Sequence, residues 1–148
     1  MKKHIYNTND LKDYLGFGVA GNFANHLDEA GEGGEFAQIE TKEKDAPKGL
    51  FPFYIPNHKS FLGEFPICDE GINHNDCEHL QVEAEVALLC DFEYENGQLI
   101  DLKPRMFSAF NDCSIRVADG NKLSTKKNWG IQSKGVSNEF IEIDSFNE

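Results

Sequence analysis

The sequence lacks the features that carry a chain into or across a membrane. No apolar run comes near the ~18 residues that mark a spanning helix, so we expect no transmembrane segment. The basic residues at positions 2–4 lead into a polar stretch, which argues against a signal peptide. The four cysteines form no CxxC pair, and without an export signal we expect free thiols. We therefore expect a cytoplasmic location.

Positive charge is also scarce. The chain has 14 Lys and Arg residues against 26 Asp and Glu residues, and its formal net charge is −12. Such a chain repels nucleic acids and anionic lipids, so we expect neither nucleic acid nor a membrane as a partner. Its 148 residues suit one domain, residues 1–148, and its 12 Phe residues supply large side chains for a core.

The local patterns predict a mostly β, α+β fold. Residues 10–17 resemble a short helix, with Asp10 able to cap its start and Gly16 able to end it. Residues 80–90 form the clearest strand, and residues 92–102 are a hairpin candidate in which Asn96-Gly97 suits a type I′ turn. Further extended segments are expected at residues 50–56, 106–110 and 141–143.

Two carboxylates on the predicted strand at residues 80–90 point the same way. Side chains alternate between the faces of a strand, so Glu83 and Glu85 share one face. Like charges on a strand that enters the interior need a partner or a proton, and a divalent cation supplies the partner. Taken alone, the pair is explained more simply by an edge strand with one solvent-exposed face.

A third carboxylate, Asp112, follows the next apolar run and lies beside Asn111. Ends of strands are common positions for functional groups. Three carboxylates with water in the remaining positions match an octahedral Mg²⁺ or Mn²⁺ site, with Ca²⁺ as a further candidate. The sequence therefore predicts a metal site at Glu83, Glu85 and Asp112.

A second group of metal-ligand residue types lies between positions 58 and 79. Its members are His58, Cys68, His74, Cys77 and His79. The C-x5-H-x2-C-x-H spacing matches no usual zinc arrangement, so we expect polar loop residues here and no structural zinc.

Three segments, in one order along the chain, resemble the fumarylacetoacetate hydrolase family. Residues 18–29 (GVAGNFANHLDE) look like its early G-x-N-Y-x-x-H-x-x-E segment. Residues 82–89 (VEAEVALL) look like its E-x-E-L metal strand, and residues 110–116 (FNDCSIR) look like its N-D-x-S-x-R segment. Weaker similarities at residues 51–56 and 127–130 keep the same order, so the resemblance spans residues 18–130.

The resemblance implies a role for each matching residue. Glu83, Glu85 and Asp112 would ligate the metal, which would act as a Lewis acid on a small anionic 2-oxo acid. His26 and Glu29, on one face of a lid helix within a lid-like segment at residues 18–49, would activate water or move a proton. Lys127 would hold the anionic group of the substrate; its neighbour Lys126 leaves this assignment open by one position.

The resemblance further implies that Asn111 and Arg116 support the substrate site and that residues 80–130 form the metal-site core. It implies a mixed β-roll, of which this chain covers the N-terminal half, and a homodimer. The expected reaction is C–C hydrolysis, decarboxylation or enol isomerisation, among which a fold does not choose. The alternatives are a non-catalytic metal-binding fragment that needs a partner chain, and a β-rich interaction domain without metal.

Overall fold

A computed structural model of the chain describes residues 2–21, 39–43, 46–74, 79–116 and 123–144. Within these ranges the fold is mostly β, and no helix is long and apolar enough to cross a membrane. The strands are β1 (Lys3–Ile5), β2 (Gly16–Ala20), β3 (Gly49–Tyr54), β4 (Ile67–Cys68), β5 (Leu80–Gln81), β6 (Ala84–Glu95), β7 (Gln98–Asn111), β8 (Ser114–Ile115), β9 (Lys134–Val136) and β10 (Glu139–Glu142). The helical elements are the 3₁₀ helices η1 (Thr8–Asp13) and η2 (Phe61–Gly63) and the α-helix α1 (Leu123–Lys127).

The long strand β7 organises the main sheet. One edge of β7 pairs antiparallel with β6 along its whole length, and the other edge pairs with β10 and then with β9. Where β7 passes from one neighbour to the other, the Ser108 hydroxyl oxygen lies 2.9 Å from the carbonyl oxygens of Ser137 and Glu139, and its single hydrogen can be donated to either. β1 extends the sheet beyond β10, and β4 joins β9 in parallel, so the six-stranded sheet is mixed.

The predicted hairpin is confirmed. β6 and β7 are joined at Asn96 and Gly97, whose φ angles of 51° and 78° are the positive values that a type I′ turn needs. The predicted strand at residues 80–90 is present but interrupted. β5 ends at Gln81, β6 begins at Ala84, and β5 pairs with β8 in a separate two-stranded sheet. Glu83 therefore lies outside both strands, and the alternation of a strand does not set the direction of its side chain.

The predicted helix at residues 10–17 is wrong in its bounds and type. The chain forms the 3₁₀ helix η1, capped by Asn7 in a capping box with Asp10. Gly16 does not end a helix; it begins β2, which pairs with β3. A Cβ on Gly16 would fall 2.4 Å from the ring of Phe53, so packing of the aromatic strand β3 against β2 overrides the local helical pattern.

The other predicted extended segments appear as β3, as part of β7 and as β10. β3 pairs only with β2 among the described strands, which agrees with the edge position that its Pro52 requires. Of the lid-like segment, the ends lie in β2 and β3, and residues 22–38, 44 and 45 lie outside the described part of the chain.

The core consists of two apolar clusters joined by shared side chains. One cluster contains Phe51, Phe53 and Tyr54 from β3, and the other contains Leu11, Phe140 and Val136 of β9. The side chains of Phe65, Ile67 and Phe110 pack against both clusters. One face of the main sheet covers this core. The long strand β7 ends at Asn111, so Asn111 and the residues that follow it lie at the edge of the core.

Candidate functional site

The candidate site lies where the interruption before β6 meets the end of β7. The Glu83 N–H donates to the Asn111 side-chain carbonyl at 3.2 Å, and the Asp112 N–H donates to the Glu83 carbonyl at 3.0 Å. These bonds hold the backbone of Glu83 against the start of the segment that follows β7. The two acidic side chains thereby come from separate segments, one between β5 and β6 and one after β7, and lie close together.

One ammonium group bridges the two carboxylates. Lys127 Nζ lies 3.0 Å from each carboxylate oxygen of Glu83 and 2.8 Å from Oδ2 of Asp112. The side chains of Lys127, Glu83 and Asp112 are 7%, 9% and 15% exposed, so the ion pairs are screened far less than surface pairs. Lys127 is the last residue of α1, and this short helix sets the position of its ammonium.

Glu83 has two further partners from β8 and the residue after it. The Ser114 hydroxyl donates to Oε1 of Glu83 at 2.6 Å, and Arg116 Nη2 lies 3.2 Å from the same oxygen. Arg116 also donates through Nε to the side-chain carbonyl of Gln81 at 2.6 Å. The Glu83 carboxylate therefore accepts hydrogen bonds from several sides.

A second lysine, Lys134, completes the cluster from β9. Its side chain is fully buried, and its ammonium contacts the carbonyl of Cys113 and lies 5.5 Å from the ring centroid of Trp129. Asp112 Oδ1 lies 2.8 Å from Lys134 Nζ, but their alignment does not satisfy a hydrogen bond, so we treat this contact as charge attraction. Burial lowers the pKa of Lys134 from its usual value, while Asp112 opposes that shift.

The described cluster carries more positive than negative charge. Lys127, Lys134 and Arg116 contribute three cationic groups, and Glu83 and Asp112 contribute two carboxylates. These charged groups are concentrated in one cluster within a chain whose net charge is −12.

The segment after α1 is fixed by Asn128. Its side-chain amide donates to the carbonyls of Phe53, at 2.7 Å, and Glu64, at 3.3 Å, and its Oδ1 accepts from the Gly130 N–H at 2.9 Å. Asn128 is buried, so these bonds satisfy its polar groups and anchor the neighbouring Lys127 to the core.

The structure brings together five of the residues that the sequence singled out, namely Glu83, Asn111, Asp112, Arg116 and Lys127. Of the two candidate lysines, Lys127 forms ion pairs with both Glu83 and Asp112. Glu85 is exposed in β6, and no group of three His, Cys, Asp or Glu side chains within the described ranges is arranged to hold a metal ion. His26 and Glu29 lie outside the described residues.

Sequence reasoning missed Lys134 and the anchoring role of Asn128. A single lysine beside a glycine in a short strand has no local pattern that distinguishes it from a surface residue. Ser114 belonged to a recognised segment, but its hydrogen bond to Glu83 was not anticipated. For the second group of ligand types, the described residues contain no metal cluster, and His58 bonds to Ser60 instead. Cys77 lies outside the described part of the chain, and Cys68, Cys90 and Cys113 are free thiols.

Comparison with known proteins defines the family of the chain. A model of a family of unknown function, DUF5718, matches residues 32–148. The chain therefore belongs to this family. No curated protein and no solved structure matches the chain significantly.

Proposed function

We propose that this protein is a divalent-metal-dependent enzyme of the fumarylacetoacetate hydrolase type that acts on a small 2-oxo or β-dicarbonyl acid. The proposal includes the mixed β-roll of that family as the finer description of the mostly β fold. It also includes His26 and Glu29 as the proton-transfer pair.

The supporting observation is the convergence of residues chosen from separate segments. Glu83, Asp112 and Arg116 were selected from two of the three similar motifs and Lys127 from the weaker similarity at residues 127–130, and they meet in one cluster within 3.2 Å contacts. A set of surface residues chosen by chance resemblance would not be expected to share ion pairs across 44 positions of sequence.

Glu83 and Asp112 fit a divalent ion by charge and by ligand type. They are hard oxygen ligands, largely buried, and they face one common cation position that the Lys127 ammonium fills. An ion such as Mg²⁺ or Mn²⁺ would have to displace this ammonium and draw in Glu85 or water as further ligands. When bound, the ion would polarise the oxo and carboxylate oxygens of a substrate as a Lewis acid.

The other residues of the cluster suit the binding of an anionic substrate. Lys127, once released from the carboxylates, and Arg116 would hold the carboxylate of a 2-oxo acid. Lys134 stays buried behind Asp112, and its ammonium, 2.8 Å from Oδ1, helps to orient that carboxylate. Low exposure of the whole cluster strengthens each of these electrostatic contacts.

Metal-induced stabilisation tests the site directly. Thermal unfolding is measured with and without millimolar Mn²⁺ or Mg²⁺, and a ligand of the folded state alone must raise Tm. We expect the rise in the natural chain and in Glu95→Gln, and its loss in Glu83→Gln, which removes the same single charge. In Lys127→Met the rise should be larger, because the competing ammonium is gone. No rise in any variant, or an equal rise in Glu83→Gln, contradicts the metal site.

A second candidate function is a non-catalytic one, in which the cluster is a structural ion-pair network. This is favoured by the internal satisfaction of Glu83, which already accepts from Lys127, Ser114 and Arg116. Turnover of a panel of 2-oxo and β-dicarbonyl acids with added Mn²⁺ separates the two. Activity that is lost in Glu83→Gln and in His26→Gln but kept in Glu95→Gln supports the enzyme; the absence of both turnover and stabilisation by metal supports the structural network.

A further inference from the structure

The main sheet has one face that does not cover the core. Antiparallel pairing puts Leu88 opposite Phe107 and Phe92 opposite Leu102, and paired residues of this kind point to the same side of a sheet. Alternation along β6 places Leu88 and Phe92 on the side opposite to Leu89, which packs in the core. The register shift between Leu89 and Cys90 keeps Leu102 on the side of its partner Phe92, whereas an uninterrupted β7 would place it on the side of Met106. We call this side of the sheet the open face.

Large apolar side chains on the open face are exposed. The exposed fractions are 63% for Val86, 47% for Leu88, 60% for Tyr94, 50% for Leu99 and 47% for Leu102, and 69% for Ile5 across the sheet in β1. At about 100 Å² each, these six side chains offer roughly 600 Å², which is the upper end of the largest apolar patch on a typical monomer. Partly buried Phe92 and Phe107 add to this area.

Charged residues of the β6–β7 hairpin lie on the other side. Lys103 pairs with Glu93 and Asp101, and Arg105 pairs with Asp91, so these ions form a ladder along the strands. Their alternation in sequence with the apolar residues gives the hairpin one charged side and one apolar side. An exposed apolar side of this kind marks a surface that binds a partner.

We propose that the open face is the contact surface of a two-fold dimer, in which the open face of a second copy of this chain covers it. A two-fold contact places a surface patch against its own copy, so the patch must not repel itself. The apolar stripe of the open face meets this condition although the chain has a net charge of −12. The proposal rests on the exposure of this face and is independent of the proposed chemistry.

The exposed apolar area and the distribution of charge both favour a second copy of this chain as the partner of the open face. Each partner of a standard interface buries ~800 Å², which the exposed residues of the open face and their partly buried neighbours nearly supply. Face-to-face packing of two sheets leaves the ion-pair ladder in water on the outside of each copy. The Lys3–Glu139 ion pair, 2.7 Å long and exposed, lies at the β1 edge of the same face, where a polar rim is expected.

Charge variants of the open face test the proposal by molecular mass. The natural chain should have twice its monomer mass of 16.7 kDa in light scattering at micromolar concentration. Leu88→Glu/Leu102→Glu and Leu88→Lys/Leu102→Lys should each be monomeric, with dissociation constants raised at least ~100-fold by like-charge repulsion across the contact. An equal mixture of the two variants should recover a heterodimer in native mass spectrometry.

A matched control keeps the result specific to the open face. Leu50→Glu/Ile131→Glu introduces the same charges at apolar residues that are 73% and 66% exposed but lie outside the open face, and it should stay dimeric. Tyr94→Glu/Leu99→Glu, near the hairpin turn, repeats the test far from the core if the first pair fails to fold. A monomeric natural chain, or open-face variants as dimeric as the control, overturns the proposal.

Discussion

Ser114 and Ser133 are fully buried serines that differ in their partners. The Ser114 hydroxyl donates to Glu83 at 2.6 Å, whereas the Ser133 hydroxyl has no hydrogen-bond partner among the described residues. Burial of a polar group is costly unless it is hydrogen-bonded, and bonds to charged acceptors are the stronger ones. Substitutions at these two positions can therefore be compared to measure how much a hydrogen bond to Glu83 contributes to the free energy of unfolding.

We expect Ser114→Ala to lower the free energy of unfolding by about 2 kcal/mol, because it removes a hydrogen bond to a buried carboxylate. Ser133→Ala, a matched control of equal burial, should change it by less than ~0.5 kcal/mol or raise it, because no bond is lost. Urea unfolding followed by circular dichroism measures both. Equal losses in the two variants would show that the Ser114–Glu83 bond adds nothing to stability.

At the scale of single elements, the hairpin turn follows from local residue chemistry, whereas the helix and strand bounds depend on pairing between distant segments. The β6–β7 turn followed from Asn96-Gly97 because positive φ is a local property of those two residues. The predicted helix at residues 10–17 is wrong because residues 16–20 pair as β2 with β3. The partner residues 49–54 are distant in the sequence, so no local pattern indicates this pairing. The interruption between β5 and β6 was also invisible in the pattern, since it depends on the pairing of β5 with β8.

The 3₁₀ helix η2 offers a test of close packing within an element. A Cβ on Gly63 would lie 1.9 Å from the backbone carbonyl oxygen of His58, whereas a Cβ on Gly71 would meet nothing within 4 Å. We expect Gly63→Ala to lower the free energy of unfolding by about 2 kcal/mol, because backbone atoms must move apart. Gly71→Ala should stay within ~0.5 kcal/mol of the natural chain in the same urea titration. A tolerated Gly63→Ala would contradict the close approach of η2 to His58.

At the scale of the whole molecule, the net charge of −12 opposes compactness through self-repulsion. Raising ionic strength from about 0.01 M to about 0.15 M shortens the Debye length from ~30 Å to ~8 Å. We expect Tm to rise, since a gain of about 1 kcal/mol corresponds to about 3 °C for a chain of this size. Differential scanning fluorimetry at fixed protein concentration, with NaCl as the added salt, measures the change. A fall in Tm would mean that exposed ion pairs outweigh the repulsion.

The sequence alone determined the β-rich character, the hairpin, the acidic balance and most members of the carboxylate cluster. These features follow from the alternation of apolar and polar residues, from the turn preference of Asn-Gly, and from short segments of acidic and basic residues. Only the tertiary structure decided that Lys127 bridges Glu83 and Asp112, that Lys134 is buried beside them, and that Glu85 is exposed. It also decided which side of the main sheet is left open. These features depend on which strands become neighbours, and that choice is made by contacts between residues far apart in the chain.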